Sequence, residues 1–293
     1  MARVAWVTGA GGLIGSNIVR AAQQFGAGWE VRALTRDQLD LCDWRSVSRA
    51  FTSGPPELVI HCAALSQTPA CEADPTLAWK INFEATRQLA WLAAGIQFIF
   101  FSSDLVFDGQ GGNYQESASV GPLSVYGKTK AAAELEVLAN PKHTVIRTSL
   151  NGGKSPTGDR AFNEQLRLAW SRGQKTRLFT DEFRSPIAAS VTARAVWEIA
   201  NRELSGLFHL AGAERLSRCQ VGELLAARLP QAHPQIERAS LKDYAGPPRA
   251  PDTSLDCSKL QKLLSFRIPG FSEWVESHGD ELEPIPKGRI PVA

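Results

Sequence analysis

Val4-Ala5-Trp6-Val7-Thr8-Gly9-Ala10-Gly11-Gly12-Leu13-Ile14-Gly15 decides how the rest of the chain is read. The first four residues form an uncharged apolar run, too short for a helix and suited to a strand buried on both faces. Glycines follow at 9, 11, 12 and 15, after which Leu13, Ile14, Ile18, Val19 and Ala22 recur on one side of a helix. Strand, glycine turn and helix in that order bring free amides and the positive end of a helix to one point, which suits a diphosphate. Gly9 fits the tight turn, Gly11 and Gly12 admit phosphates to the backbone, and Gly15 lets the helix lie close to the strand. A plain strand-turn-helix is the alternative reading.

The chain has 293 residues, enough for one large α/β domain with a smaller second lobe. Lys and Arg total 32 against 30 Asp and Glu, a net charge of +2. With no basic run, that balance gives no reason to expect nucleic acid or a membrane surface. No apolar run is long enough to span a bilayer and nothing near Met1 resembles a secretion signal, so a cytoplasmic location is expected. The five cysteines, at 42, 62, 71, 219 and 257, form no CxxC pair, and the histidines have no ligand spacing. Neither a disulfide framework nor a metal site is expected. His61 and Cys62 read as packing residues at a strand end.

Strands and helices alternate beyond the first helix. Residues 29–34 read as a second strand, ending in Thr35-Arg36-Asp37. An arginine there can pair with the 2′-phosphate of NADP and stack on adenine, which favours NADPH over NADH; a solvated loop charge is the alternative. Asp43 suits the cap of a helix through Val47 and Phe51. Residues 57–62 form a third buried strand leading into Ala63-Ala64-Leu65, small residues against which a cofactor can lie. The spacing predicts one helix over 75–94, with Asn82 as an ordinary exposed polar residue, then a fourth strand over 96–101 ending in Ser102-Ser103-Asp104.

Tyr126 and Lys130 stand four apart at the start of the next helix and share one face. A free phenol ionises near pH 10, so a tyrosine that exchanges protons near neutrality needs a shift of about three units. A neighbouring ammonium and a positive nicotinamide both push in that direction. Ser103, at the end of the adjacent strand, can hold a substrate carbonyl in line. A surface helix with a snorkelling lysine is the structural alternative for the same spacing.

Thr8 to Gly15, then Ser102-Ser103, then Tyr126-Gly-Lys-Thr-Lys130 resemble the extended short-chain dehydrogenase/reductase superfamily. Within it, Phe101-Ser-Ser-Asp-Leu-Val-Phe-Asp-Gly109 is similar to the matching stretch of dTDP-4-dehydrorhamnose reductases. So are Leu39 to Asp43, Ala63-Ala64, Glu72, Asn82, Pro122 to Tyr126, Ile146 to Ser149, Asp181 to Pro186, Gly206 to Gly212, and Arg249 with Asp252 to Leu255. The resemblance implies a Rossmann-type doubly wound parallel sheet. It implies Tyr126 as proton donor, Lys130 as its partner and a nicotinamide-ribose ligand, and Ser103 in the place of the usual threonine. The dinucleotide would lie along Gly9, Gly11, Gly12, Leu13, Ile14, Gly15, Arg36, Asp40, Leu41, Ala63, Ala64, Leu65, Asn82 and Ser102. Ser66, Asp104, Leu150 and Arg184 would face a nucleotide-sugar substrate. Leu105 and Leu150 replace a tyrosine and a tryptophan usual in the family, and both positions lie toward the sugar, which leaves the exact substrate open.

Residues 1–150 are expected to form the NAD(P)-binding domain, with parts of 180–215 returning to it, and 151–293 mainly a substrate-binding lobe. Strands at 145–148, 177–179 and 207–210 alternate with helices near 162–170, 191–199 and 220–229. The first of these strands continues the parallel sheet and the later ones pass over its carboxyl edge. The 154–160 loop reads either as a lid or as a connector. Arg184 reads either as a ligand of a nucleotide diphosphate or as a structural ion pair. Residues 245–251 read as irregular, and the tail after Glu283, with three prolines, as disordered. The expected activity is reduction of a nucleotide-linked 4-ketosugar, with a homodimer left open. Epimerisation or dehydration on the same scaffold is one alternative. A non-catalytic dinucleotide-binding subunit, such as the regulatory subunit of methionine adenosyltransferase, is another.

Overall fold

Short uncharged runs of Val, Ile, Leu and Phe can hide both faces only in the middle of a layered sheet, and these runs build one. The computed structural model describes residues 3–282. Its strands are β1 (Arg3–Thr8), β2 (Trp29–Leu34), β3 (Leu58–His61), β4 (Gln97–Ser103), β5 (Thr144–Thr148) and a sixth, Gly206–Leu210. All pair in parallel, in the spatial order Gly206–Leu210, β5, β4, β3, β1, β2. From β1 the chain steps outward to β2 and then crosses back to β3. The crevice at the carboxyl ends of β1 and β3 is therefore the place where a doubly wound sheet binds its ligand.

Alternation along β1 divides the core. Ala5 and Val7 join Ile18, Ile60, Ile99 and Trp197 on one face, under α1 (Leu13–Phe25) and the helix Ala189–Asn201. Trp6 joins Val59, Phe98, Phe100 and Val145 on the other, under α2 (Trp44–Ser53) and the helices Ala85–Leu92 and Val125–Leu138. Each fully buried large side chain contributes roughly 1.5–3 kcal/mol. Asp43 caps α2 through the Ser46 amide at 3.2 Å. A smaller lobe packs Phe162, Trp170, Leu225, Phe271 and Trp274 together. Three short pairings among the described residues lie outside the main sheet, Thr176–Phe179 with Ile236–Ala239, Phe183–Arg184 with Leu216–Ser217, and Asn151–Gly152 with Ile187–Ala188.

Two local expectations change, and one pair of alternatives is decided. Residues 206–210 do not pass over the edge; they pair with β5 from Gly206↔Thr144 to Leu210↔Thr148 and extend the sheet. The helix expected over 75–94 is interrupted: Pro75–Trp79 leads into a π-helical turn, Lys80–Glu84, before Ala85–Leu92. The extra residue in that turn directs Asn82 inward, where it is fully buried. The 154–160 loop is tied down by Glu164, whose carboxylate accepts from the Ser155, Arg160 and Ala161 amides and the Ser155 hydroxyl. Asn17 of α1 also donates to the Lys154 carbonyl, so this segment is an anchored connector. The expectation for the tail beyond Glu283 lies outside the described residues. No helix among the described residues is long and apolar enough to cross a membrane.

Candidate active site

The glycine turn has the close approaches its sequence requires. Gly9 sits at φ +68°, and a Cβ there would fall 2.6 Å from the Ala63 nitrogen. A Cβ on Gly15 would meet the Gly9 carbonyl oxygen at 2.4 Å. Only glycine lets α1 start this close to β1 while β3 delivers Ala63 against the turn. Gly12 caps α1 with no side chain, so the first-turn amides after it, at Leu13 and Ile14, face outward without helical partners. Ala63, Ala64 and Leu65 follow β3 beside them, and Ser66 is exposed at the rim. Arg36 and Asp40, beyond β2, form an exposed ion pair at 4.0 Å, with Leu41 partly buried beside them.

Asn82 acts through the backbone of this loop. Its amide accepts from the Leu65 nitrogen at 2.8 Å and donates to the Leu65 carbonyl at 3.1 Å and the Thr129 hydroxyl at 3.1 Å. Those three bonds occupy the side chain, so Asn82 shapes the surface a cofactor would touch and cannot itself reach out. Ser102 is likewise turned away from the crevice, its hydroxyl donating to Glu134 at 2.5 Å.

The helix Val125–Leu138 begins at the crevice because Ser124 caps it through the Gly127 amide and Glu72 accepts from the Val125 amide at 2.7 Å. That start brings Tyr126 into a small apolar cluster with Cys71, Ala78, Leu65 and Leu105. Ser103 and Asp104, at the end of β4, are its polar neighbours. Burial pushes the Tyr126 phenol well above the usual tyrosine range, the Asp104 charge adds to this, and the Ser103 hydroxyl opposes it. The expected depression of this pKa by Lys130 is therefore not what the protein alone produces: desolvation dominates, and the opposing pull comes from Ser103.

Lys130, one turn further on, is 2% exposed. Its Nζ lies 4.0 Å from the centre of the Phe100 ring and has no hydrogen-bond acceptor or ion-pair partner among the described residues. Desolvation pushes it down to about 7, against the pull of Glu134. A further turn along, Glu134 is held by Arg147 in a buried two-point ion pair, with Nε to Oε1 at 3.0 Å and Nη2 to Oε2 at 2.7 Å.

Asp104 is a structural hub. It accepts from the Ser149 hydroxyl at 2.6 Å and the Thr253 hydroxyl at 3.0 Å, and Arg184 Nε lies 3.7 Å away. Arg184 takes the structural alternative. Its Nη2 donates to Glu182 at 2.9 Å and its Nη1 to Thr253 at 2.7 Å and to the Phe183 and Ala250 carbonyls, which leaves no fork for a diphosphate. Leu150 packs toward the core of the smaller lobe. Sequence reasoning assigned no structural role to Glu72, Glu134 or Glu182: Glu72 accepts from the Val125 amide, Glu134 pairs with Arg147, and Glu182 pairs with Arg184 two residues on and with Arg249 67 residues on.

The profile of the RmlD substrate binding domain family matches residues 3–283. The dTDP-4-dehydrorhamnose reductase of Sinorhizobium fredii is 30% identical over 259 residues, covering 83% of this chain and 86% of that protein. Methionine adenosyltransferase 2 subunit beta of Xenopus laevis is 28% identical over 284 residues, covering 91% and 84%. The crystal structure of dTDP-4-dehydrorhamnose reductase from Bacillus anthracis in complex with NADP superposes with a TM-score of 0.86 at 20% identity, covering 94% of this chain and 98% of that one.

Proposed function

The chain belongs to the RmlD substrate binding domain family, and on that premise we propose that it is an NAD(P)H-dependent reductase of a nucleotide-linked ketosugar, most closely of the dTDP-4-dehydrorhamnose type. The observation that carries this reading is Lys130: a buried ammonium without a protein acceptor among the described residues, one helical turn from a buried tyrosine and over the Phe100 ring of β4. The residues fit a nicotinamide dinucleotide. The glycine turn excludes any Cβ where a diphosphate approaches, and Lys130 has donors left for ribose hydroxyls.

When bound, the cofactor supplies a hydride to the carbonyl carbon. Tyr126 gives its phenolic proton to the carbonyl oxygen, and burial beside Asp104 keeps that proton in place until it is needed. Ser103 donates to the same oxygen. Lys130 balances the charge left on the phenol. Arg36, at the end of β2 with only a surface partner, supports a preference for NADPH. Similarity to the adenosyltransferase subunit supports a binding role without turnover, but Ser103, Tyr126 and Lys130 are all present. NADPH oxidation across a panel of nucleotide-linked ketosugars tests the reading. Turnover with at least one is expected, and oxidation with none overturns it. Interconversion of sugars without net NADPH loss would assign an epimerase instead.

A further inference from the structure

Two carboxylates and three guanidiniums gather where the smaller lobe meets the end of β4. Glu182 is 1% and Asp104 4% exposed. Arg184 is held by Glu182, Thr253 and two carbonyls, as described. Arg249 donates from Nε and Nη2 to the two Glu182 oxygens at 2.8 and 2.9 Å. The third, Arg218, has only its backbone engaged, its amide donating to the Glu182 carbonyl at 2.9 Å.

The pairing of Leu216–Ser217 with Phe183–Arg184 fixes Arg218 opposite Glu182, as the first residue of the helix Arg218–Arg228. Its side chain is half-buried, and its guanidinium has neither a hydrogen bond nor an ion pair among the described residues. Desolvation and the nearby Arg184 and Arg249 hold its pKa below the usual arginine range, with Glu182 and Asp104 opposing. Partly desolvating a cation without an acceptor is costly, and proteins ordinarily avoid it by pairing. Counting formal charges, the cluster carries one positive charge in excess, and Arg218 is the member with a free fork.

Asp104 links this cluster to the chemistry: one carboxylate oxygen lies 3.7 Å from Arg184 Nε and the other accepts from the Ser103 hydroxyl at 3.1 Å. A ketosugar seated on Tyr126 and Ser103 would extend its nucleotide across the same edge of β4. We propose that Arg218, in place of Arg184, is the ligand of the substrate's diphosphate, its free guanidinium edge taking two phosphate oxygens. This rests on the nucleotide-sugar reading above.

Calorimetric titration of the full chain with dTDP, UDP, thymidine and NADPH tests it. Arg218→Gln should weaken the better-bound nucleoside diphosphate by about tenfold or more. Affinity for thymidine and NADPH should not change, and Arg218→Lys, which keeps the charge and loses the fork, should fall between. Retained NADPH binding shows that a variant is folded, and Arg218→Lys serves alone if Arg218→Gln does not fold. A variant that binds the diphosphate as tightly as the original chain, or loses thymidine or NADPH equally, overturns the assignment and leaves the reductase reading standing. An original chain that binds NADPH but neither dTDP nor UDP overturns the nucleotide-sugar reading, and this proposal with it.

Discussion

Thr8 and His61, aligned at the carboxyl ends of β1 and β3, are joined by a 2.7 Å hydrogen bond between the threonine hydroxyl and Nδ1. The other ring nitrogen meets the Thr86 hydroxyl at 3.0 Å, and that hydroxyl donates to the Asn82 carbonyl at 2.8 Å. Thr86 has one proton and it is committed to Asn82, so it accepts from Nε2–H, and Nδ1 accepts from Thr8. The neutral imidazole thus connects the glycine turn to the π-helical turn. A second proton on the ring would force the Thr8 hydroxyl to turn from donor to acceptor and leave a charge buried beside Lys130.

Acid should therefore loosen this fold early. Burial and the Lys130 charge push His61 down to about 3 from the 6.5 of an unfolded chain, so the unfolded state takes up the proton first. His61 costs no stability above about pH 6.5, and stability falls as pH drops below it toward 4. His209, pushed down to about 4, adds a second proton to the same slope. His61→Gln preserves an acceptor and a donor without titrating. Urea unfolding from pH 7 to 4.5 should show its slope reduced by roughly 1.4 kcal/mol per pH unit, and an unchanged slope would place the acid sensitivity elsewhere.

Tyr126→Phe should bind NADPH as the original chain does while turnover falls by orders of magnitude, as stopped-flow and steady-state assays would read. Unchanged turnover removes Tyr126 from the reaction. Lys130→Met should lower both affinity and rate. Because Lys130 sits near 7 without cofactor, an anionic dinucleotide should draw a proton onto it. Calorimetry at pH 8 in buffers of different ionisation enthalpy should detect that uptake, and its persistence in Lys130→Met would assign the proton to another group.

Arg36→Ala should weaken NADPH far more than NADH in fluorescence titrations, since only the former has a 2′-phosphate for the guanidinium. Equal losses would rule out that contact. Its ion pair with Asp40 is exposed, so little stability should be lost.

Glu134→Gln leaves Arg147 charged and buried with half a partner, at a cost of about 3–5 kcal/mol. The double replacement Glu134→Gln, Arg147→Met should be less destabilised than the single one in the same denaturation experiment. Equal or greater loss would show that the pair itself, and not the orphaned charge, supplies the stability.

The glycine turn and the Tyr126–Lys130 spacing were legible in the sequence because each is a local pattern in which residue type and interval fix the geometry. Gly206–Leu210 was harder, since joining the sheet depends on β5 offering an edge 58 or more residues away in sequence. Arg184 and Arg218 could not be told apart by type. What separates them is Thr253 and the Ala250 carbonyl, brought to Arg184 by a segment more than sixty residues away, which together with its near neighbour Glu182 occupy its guanidinium. The raised pKa of Tyr126 was hidden for the same reason, because Cys71, Leu65 and Leu105 desolvate it from three separate stretches.

The wide turn at Lys80–Glu84 gives the cofactor-lining loop an unusual dependence on residue number. Removing one residue there would restore an ordinary helix and swing Asn82 around the axis by about 100°. Leu65 would lose both clasps without any change in composition near the crevice. A lineage could thus abolish or retune dinucleotide capture by a single-codon deletion on the outer helix, leaving every residue at the chemical centre intact.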